Sequence, residues 1–473
     1  MTNTVKFIET FIDNNQELFK QVARDVWSYA EVGYTEVKSS ARLEQVLEDF
    51  GFRVQKGVGE APTAFVAEYG SGRPIIGLMA EYDALPNLSQ KLSDEPDPVV
   101  PGGNGHGCGH NLLGTGALAG AITIKEAIEA GLVHGTVRLY GTPAEELLTG
   151  KVYMAKMGVF NDLDIALGWH PEGVNAVMEF STSAQCSAKF HFHGHAAHAA
   201  SDPFNGRSAL DAVELMNVSS NYLREHVVPG VKLHYATIVP PDLVPNTVPA
   251  EASVWYFVRA EDTKTVKEVF DRLVHCANGA AEMTGTTVDQ EFLGGCSDYL
   301  PNRFLNKILH EEMEKFPVPT FTAEEHEYAR KVGLCTAESG ERFRVSLENA
   351  YEGVDAHTGN VCQFLAPLSD VKARLTIPGS LDIGDVSRIV PTTQFTAVCQ
   401  GYSCGSHSWQ CTSFSASNIG MQGMLYAAKV FASMGTRLMQ EPHLIEEAHK
   451  EFHQKTRGQA YVSPLPDSWK PGI

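Results

Sequence analysis

Positive charge is scarce in this sequence: 37 lysines and arginines face 57 aspartates and glutamates, a formal net charge of -20 over 473 residues. The acids are spread along the chain and no basic face stands out, which argues against nucleic acid and anionic membrane as partners. Long apolar runs are also missing, and none approaches the roughly 18 residues that a membrane span needs. The opening segment Met1–Trp27 is amphipathic and carries acids, without the apolar core and small-residue cleavage site of a secretory signal. The nine cysteines are odd in number and contain no CxxC pair, so no disulfide framework is expected and a reducing cytoplasm is the expected compartment. Internal repeats and low-complexity tracts are absent. With 43% hydrophobic and 20% charged residues, what remains is a globular chain long enough for two or three domains.

The pattern that is present is an alternation of strands and helices. Helical periodicity covers residues 3–28 and 36–50, the second ending at Gly51. Short apolar strands are expected at Phe52–Gln55, Ala64–Tyr69, Ile75–Ala80, Thr136–Tyr140 and Asp164–Gly168. A glycine-rich stretch, Pro101–Asn111, leads into a helix running to about Ala130. This order reads as an α/β fold with a mainly parallel sheet. From Cys186 the rhythm becomes β-α-β-β-α-β: strands at Ser187–His193, Lys232–Val239, Glu251–Ala260 and Thr287–Leu293, with helices at Ser208–Val227 and Asp262–Thr284. That is the ferredoxin-like split βαβ pattern, whose close ends suit insertion into a larger domain. The expected organisation is a main domain of residues 1–185 and 297–473, interrupted by an inserted domain of residues 186–296. After the insertion come helices at Asn302–Lys315 and Ala323–Val332, an irregular stretch to about Ser380, a strand at Gln394–Cys399 and a final helix at Ser417–Met434. Beyond about Thr456 an extended surface strap is expected.

The residues with chemistry sit at the ends of these expected strands. Cys108 and His110 flank a glycine where a helix begins, and in extended chain residues two apart face the same way. Both are good metal ligands, and a helix N-terminus lowers a thiol pKa toward the thiolate that a metal binds. By itself the tripeptide is weak evidence, and a buried thiol beside a capped histidine is the more frequent reading. Glu145 and Glu146 follow the strand Thr136–Tyr140; pointing to opposite sides, they would divide into one ligand and one proton carrier. His170, in the segment ALGWHP, and His407, in CGSHSW, lie just past two further strands, where open α/β sheets hold their ligands. Cys108, His110, Glu146, His170 and His407 exceed what one closed tetrahedral ion requires, so two divalent ions sharing ligands fit better. Thiolate and imidazole favour zinc, and the carboxylate leaves manganese open.

The segments EYDALP (81–86), NGHGCGHNLLGT (104–115), GTPAEE (141–146), WHPE (169–172), HGHAAHAA (193–200) and GRSALDAV (206–213), in this order through nearly the whole chain, resemble the M20 metallopeptidase and amidohydrolase family. Within it the likeness is to the p-aminobenzoyl-glutamate hydrolase B-subunit type. The resemblance implies a dinuclear hydrolase whose inserted domain closes over the substrate and mediates dimerisation. It implies Cys108, His110, Glu146, His170 and His407 as metal ligands and Glu145 as the general base. It also implies that His198 in the inserted domain reaches an active site, often the partner subunit's, to stabilise the oxyanion, and that Asn246 and Arg259 hold substrate. Glu81 stands where many M20 peptidases have a metal-binding histidine, two residues before Asp83, and Asn111 replaces an aspartate common in the amidohydrolase branch, so neither joins the ligand set. Asp382 or Asp385 is expected to orient a ligand without touching metal. His193 and His195 are not read as a separate metal site.

The expected activity is a cytoplasmic, metal-dependent cleavage of small N-acyl or N-aroyl amino acids, with an acidic leaving amino acid favoured. The alternatives are a dipeptidase with the same metal chemistry and a poorly active partner subunit of a hetero-oligomeric hydrolase. A cysteine-nucleophile hydrolase built on Cys108 ranks below both. The expected assembly is a homodimer through the inserted domain, with a heteromer as the other possibility.

Overall fold

The computed structural model describes residues 3–472. Its larger sheet has seven strands. Those introduced first in chain order are β1 (Arg53–Lys56), β2 (Phe65–Gly70), β3 (Ile75–Ala80), β4 (Thr136–Gly141), β5 (Ile165–Glu172), β6 (Ala176–Val177) and, near the end of the chain, β13 (Thr392–Val398). The sheet order is β1-β2-β4-β3-β5-β13-β6. Strands β4, β3, β5 and β13 are mutually parallel, while β1, β2 and β6 join antiparallel at the edges. The expected mainly parallel α/β sheet is therefore present. Its central strands are buried nearly throughout, as the run IIGLMA of β3 demands of a strand covered on both faces.

One face is covered by the helix His110–Glu129, which packs against Asn3–Tyr29 and Asn418–Gln440. Seventeen of its twenty residues are buried, so its sequence is apolar all round, with no stripe. Gly114 is required by this packing, because a Cβ there would lie 2.5 Å from the carbonyl oxygen of Glu81. The helix thus presses directly on the segment that leaves β3.

A second, four-stranded sheet is formed by β8 (Ala184–His193), β9 (Lys232–Ile238), β10 (Glu251–Ala260) and β11 (Thr287–Cys296), in the order β11-β8-β10-β9 and antiparallel throughout. The helices Ala209–Leu223 and Thr263–Thr284 cover one of its faces, enclosing a core of their own around Phe190, Phe192, Val254 and Leu273. This is the ferredoxin-like arrangement expected for the insertion. A parallel pair, β7 (Ser181–Thr182) with β12 (Thr376–Ile377), lies beside the start of β8.

Three expectations need correction. The stretch after Val332 contains the helix Ala337–Ala350, in which only Gly340 and Leu347 are buried, so it shows no apolar stripe. The helix at Ser417–Met434 extends to Gln440 and is not the last: His443–Thr456 follows it. Strand β5 continues through Glu172, so His170 lies within the strand, opposite Thr396 of β13. Among the described residues the strap after Thr456 has no regular structure, and it is held by Leu465 in the core and by the ring of Trp469 against Tyr153.

Candidate metal centre

Four segments, each leaving or ending a parallel strand at its carboxyl end, meet at one place. Glu81 and Asp83 follow β3, Glu145 and Glu146 follow β4, His170 is near the end of β5, and His407 lies beyond β13. Open parallel sheets bind ligands at this edge. Cys108 and His110 reach it from the glycine-rich loop. Gly109, the residue before the helix starts, has φ of 82°, and this left-handed turn swings Cys108 and His110 inward on either side of it.

The thiol of Cys108 lies 3.3 Å from Nε2 of His170. The His110 and His170 rings meet edge to face with centroids 6.1 Å apart. His407 Nε2 is 3.4 Å from a carboxylate oxygen of Glu146. Cys108, His110 and His170 offer donor atoms all within 4.8 Å of one another, and so do Cys108, Glu146 and His407. The two trios share the Cys108 sulfur. All five ligands expected from the sequence are thus brought together. A third trio, Glu81, His110 and Glu145, adjoins them.

The surrounding residues fix these donors. His110 Nδ1 donates to Asp83 Oδ1 at 2.8 Å, which leaves Nε2 as the ring nitrogen available to a metal. Asp83 Oδ2 accepts the backbone N–H of Glu146 at 2.9 Å, tying the second glutamate to the same carboxylate. His170 Nδ1 donates to the carbonyl of Pro171 at 2.9 Å, which turns Nε2 toward Cys108. His407 is on the rim, its side chain 55% exposed, and its backbone N–H reaches the carbonyl of Gly107. Another histidine of the loop, His106, is turned away onto the carbonyl of Val26.

Glu145 and Glu146 do separate, although not as extended chain. They open a 3-10 turn, Glu145–Leu147, bracketed by Ala144 and Leu148 with positive φ. Glu146 faces Cys108 and His407, whereas Glu145 faces Glu81 and His110. Burial and the carboxylates of Glu81, Asp382 and Glu146 push Glu145 well above the usual carboxylate range. Burial, together with Asp83 and Glu81 and against the pull of His110, raises Glu146 to about 7. The Cys108 thiol is also pushed up, by burial and by Glu146, so the expected lowering at a helix N-terminus is outweighed.

This donor set suits divalent cations. Anionic groups crowd a buried space, and three buried atoms in it, His110 Nε2, Glu145 Oε1 and Glu146 Oε1, have no hydrogen-bond partner. Such atoms are costly without a counter-charge.

Some sequence expectations lie elsewhere. His198 is exposed in the loop after β8, where its Nδ1 accepts the N–H groups of Ala200 and Ser201, and its backbone pairs with Thr247 beside the exposed Asn246. Arg259, on β10, lies over the ring of Phe257, and its Nε is buried without a partner. Among the described residues, none of these three makes a hydrogen bond or ion pair with the cluster. Asp382 is close, through Lys151, but Asp385 accepts from Ser297 and Tyr461 and orients no ligand. Asn111 bonds the carbonyls of Ala23 and Ser415, outside the ligand set as expected. The sequence reading missed Lys151, which is fully buried. The only available signal was a lysine among the apolar residues of TGKVYMA, just after the paired glutamates.

Residues 77–407 match the model of Peptidase family M20/M25/M40. The B subunit of the p-aminobenzoyl-glutamate hydrolase of Escherichia coli (strain K12) is 38% identical, covering 100% of this chain and 99% of that protein. The Xaa-Arg dipeptidase of Mus musculus is 27% identical, covering 94% of this chain and 91% of its own length. A Bacillus subtilis structure, described as a dinuclear metal binding peptidase from the M20 family, has the same fold, with a TM-score of 0.56 at 16% identity, covering 90% of this chain and 99% of that one.

Proposed function

The chain belongs to peptidase family M20/M25/M40 and is a hydrolase of amide bonds; from that premise we propose that it is a metal-dependent amidohydrolase of small N-acyl or N-aroyl amino acids. One observation carries the reading: two trios of donors, drawn from four distant segments, share the sulfur of Cys108. Cys108, His110, Glu146, His170 and His407 would hold a pair of divalent ions, zinc or manganese. When bound, such ions supply Lewis-acid polarisation of the amide carbonyl and a lowered pKa for water. Glu145, whose Oε1 is free of protein partners, takes the proton of the attacking water and returns it to the departing amine.

Residues 186–296 act as the lid in this reading, with His198 supplying oxyanion contact and Asn246 and Arg259 holding the substrate. The partnerless Nε of Arg259 supports an anionic group on the substrate, in keeping with a p-aminobenzoyl-glutamate-like compound and an acidic leaving amino acid. Strand β9 lies at the edge of the lid sheet with all its residues but Leu233 exposed, and Val218 and Tyr222 on the neighbouring helix are exposed as well. That edge suits pairing with a second copy, giving a homodimer; a different chain is the other candidate, since the Escherichia coli relative is named as one of the subunits of its hydrolase. A cytoplasmic location accords with nine free cysteines, and no described helix is long and apolar enough to cross a membrane.

The similarity to an Xaa-Arg dipeptidase keeps one other substrate class in view. Metal analysis joined to an assay of p-aminobenzoyl-glutamate, other N-acyl amino acids and small dipeptides separates the two. The N-acyl amino acids are expected to be cleaved and the dipeptides not, and preferential dipeptide cleavage would overturn the assignment. In the same assay Glu145→Gln keeps its metal and loses activity by about 10²–10⁴-fold, the usual size of a general-base contribution. Loss of the metal instead would mean that Glu145 is a ligand.

A further inference from the structure

We propose that Lys151 is a positioning residue of the metal centre: an internal cation that holds the carboxylate of Glu81 against His110 and so sets the affinity of the cluster for metal. The proposal rests on the metal-dependent reading above and adds a residue outside the ligand set.

Lys151 is on the short helix Gly150–Lys156, three residues past the turn that carries Glu145 and Glu146. Its side chain has no solvent exposure. The ammonium lies 2.7 Å from Glu81 Oε1 and is also bonded to Asp382 Oδ1, while Asp382 Oδ2 accepts the backbone N–H of the same lysine at 2.8 Å. Both ends of Lys151 are thereby fixed to one buried aspartate. The other oxygen of Glu81 is 3.3 Å from His110 Nε2, the ring nitrogen that Asp83 does not engage. The chain of contacts Asp382–Lys151–Glu81–His110 thus reaches the donor atoms.

Among the described residues, Lys151 is the only lysine or arginine in ion-pair contact with Glu81, Asp83, Glu145, Glu146 or Asp382. A buried ammonium persists only where such partners surround it. Burial works against its charge, but Asp382, Glu81 and Glu145 hold it above the ordinary lysine range, so it stays protonated. With one arm of Glu81 fixed to Lys151, the carboxylate has a set orientation toward His110, and one negative charge of the crowded cluster is offset before any metal binds. Outer-shell partners of metal ligands are typically worth about 10–100-fold in metal affinity or activity.

The test uses full-length Lys151→Met, Lys151→Arg, Glu81→Gln and the double variant, each stripped of metal and titrated with zinc or manganese against a chromophoric chelator, with thermal unfolding and steady-state kinetics alongside. Lys151→Met is expected to weaken metal binding about 10–100-fold, read directly in the titration of the stripped protein. Lys151→Arg should recover part of the affinity. Glu81→Gln added to Lys151→Met should cost less than its effect in the wild type, because the two act as one unit. Wild-type metal affinity in Lys151→Met, or multiplicative effects in the double variant, would overturn the proposal. If Lys151→Met does not fold, Glu81→Gln, which leaves the Lys151–Asp382 pair intact, gives the same reading: weaker binding supports the proposal and unchanged binding overturns it. A wild-type chain that binds no metal would instead defeat the functional reading on which the proposal stands.

Discussion

Asp83 meets the cluster at two points, His110 Nδ1 and the backbone N–H of Glu146, so one carboxylate orients donors from two trios. Burial opposes charge on both residues, yet Asp83 sits below its ordinary range beside His110, and His110 sits well above its own beside Cys108 and Asp83. Asp83→Asn retains the shape but loses the anionic acceptor for Nδ1–H. It is expected to weaken metal binding about 10–100-fold, read by titration of the stripped protein. Unchanged affinity would show that the glycine-rich loop alone positions His110. The identity of the donors was legible residue by residue, because cysteine, histidine and paired glutamates at strand ends carry few other meanings in combination. Lys151 was not, since its role depends on what lies across the fold from it. A lysine beside an apolar run says nothing about Asp382, 231 positions away.

At the scale of elements, the helix Ile383–Ser387 joins three parts of the molecule. Asp382 before it binds Lys151, while Asp385 within it accepts from the N–H and hydroxyl of Ser297, just past β11, and from the Tyr461 hydroxyl of the strap. Burial raises Asp385 to about 6 in the folded protein, from an ordinary value of 3.8. The folded state therefore keeps a proton that the unfolded chain releases, and stability contributed by this group is present below pH 4 and is lost as pH rises toward 6. The span corresponds to a contribution on the order of 3 kcal/mol. Urea unfolding of wild type and Asp385→Asn across pH 4–7 tests it: the wild-type minus variant difference should fall with rising pH, and a flat or rising difference would contradict it. The strands of four residues or more were legible within a few residues, whereas the two-residue strands β6, β7 and β12 were not, being too short to carry a pattern. The helix Ala337–Ala350 was not legible, because it packs with two buried residues and its periodicity is drowned by charge. His443–Thr456 was passed over, its apolar side of Leu444, Ile445, Ala448 and Phe452 being set among acids and histidines.

Over the whole molecule, the sheet does the assembling. Parallel strands deliver their carboxyl ends to one edge, so residues separated by 62 positions, as Cys108 and His170 are, arrive within 3.3 Å. The mainly parallel sheet and the βαββαβ insertion follow from the alternation of elements along the chain, whereas the order of the strands within the larger sheet does not. The sharing of Cys108 between two trios does not, because it depends on the left-handed turn at Gly109 and on the 3-10 turn at Glu145, neither of which periodicity reveals. Elemental analysis of the purified full-length chain beside Cys108→Ala measures that sharing. The account predicts two divalent ions per chain in the wild type and loss of both when the common sulfur is removed; a wild type without metal, or a variant that keeps one ion firmly bound, would contradict it.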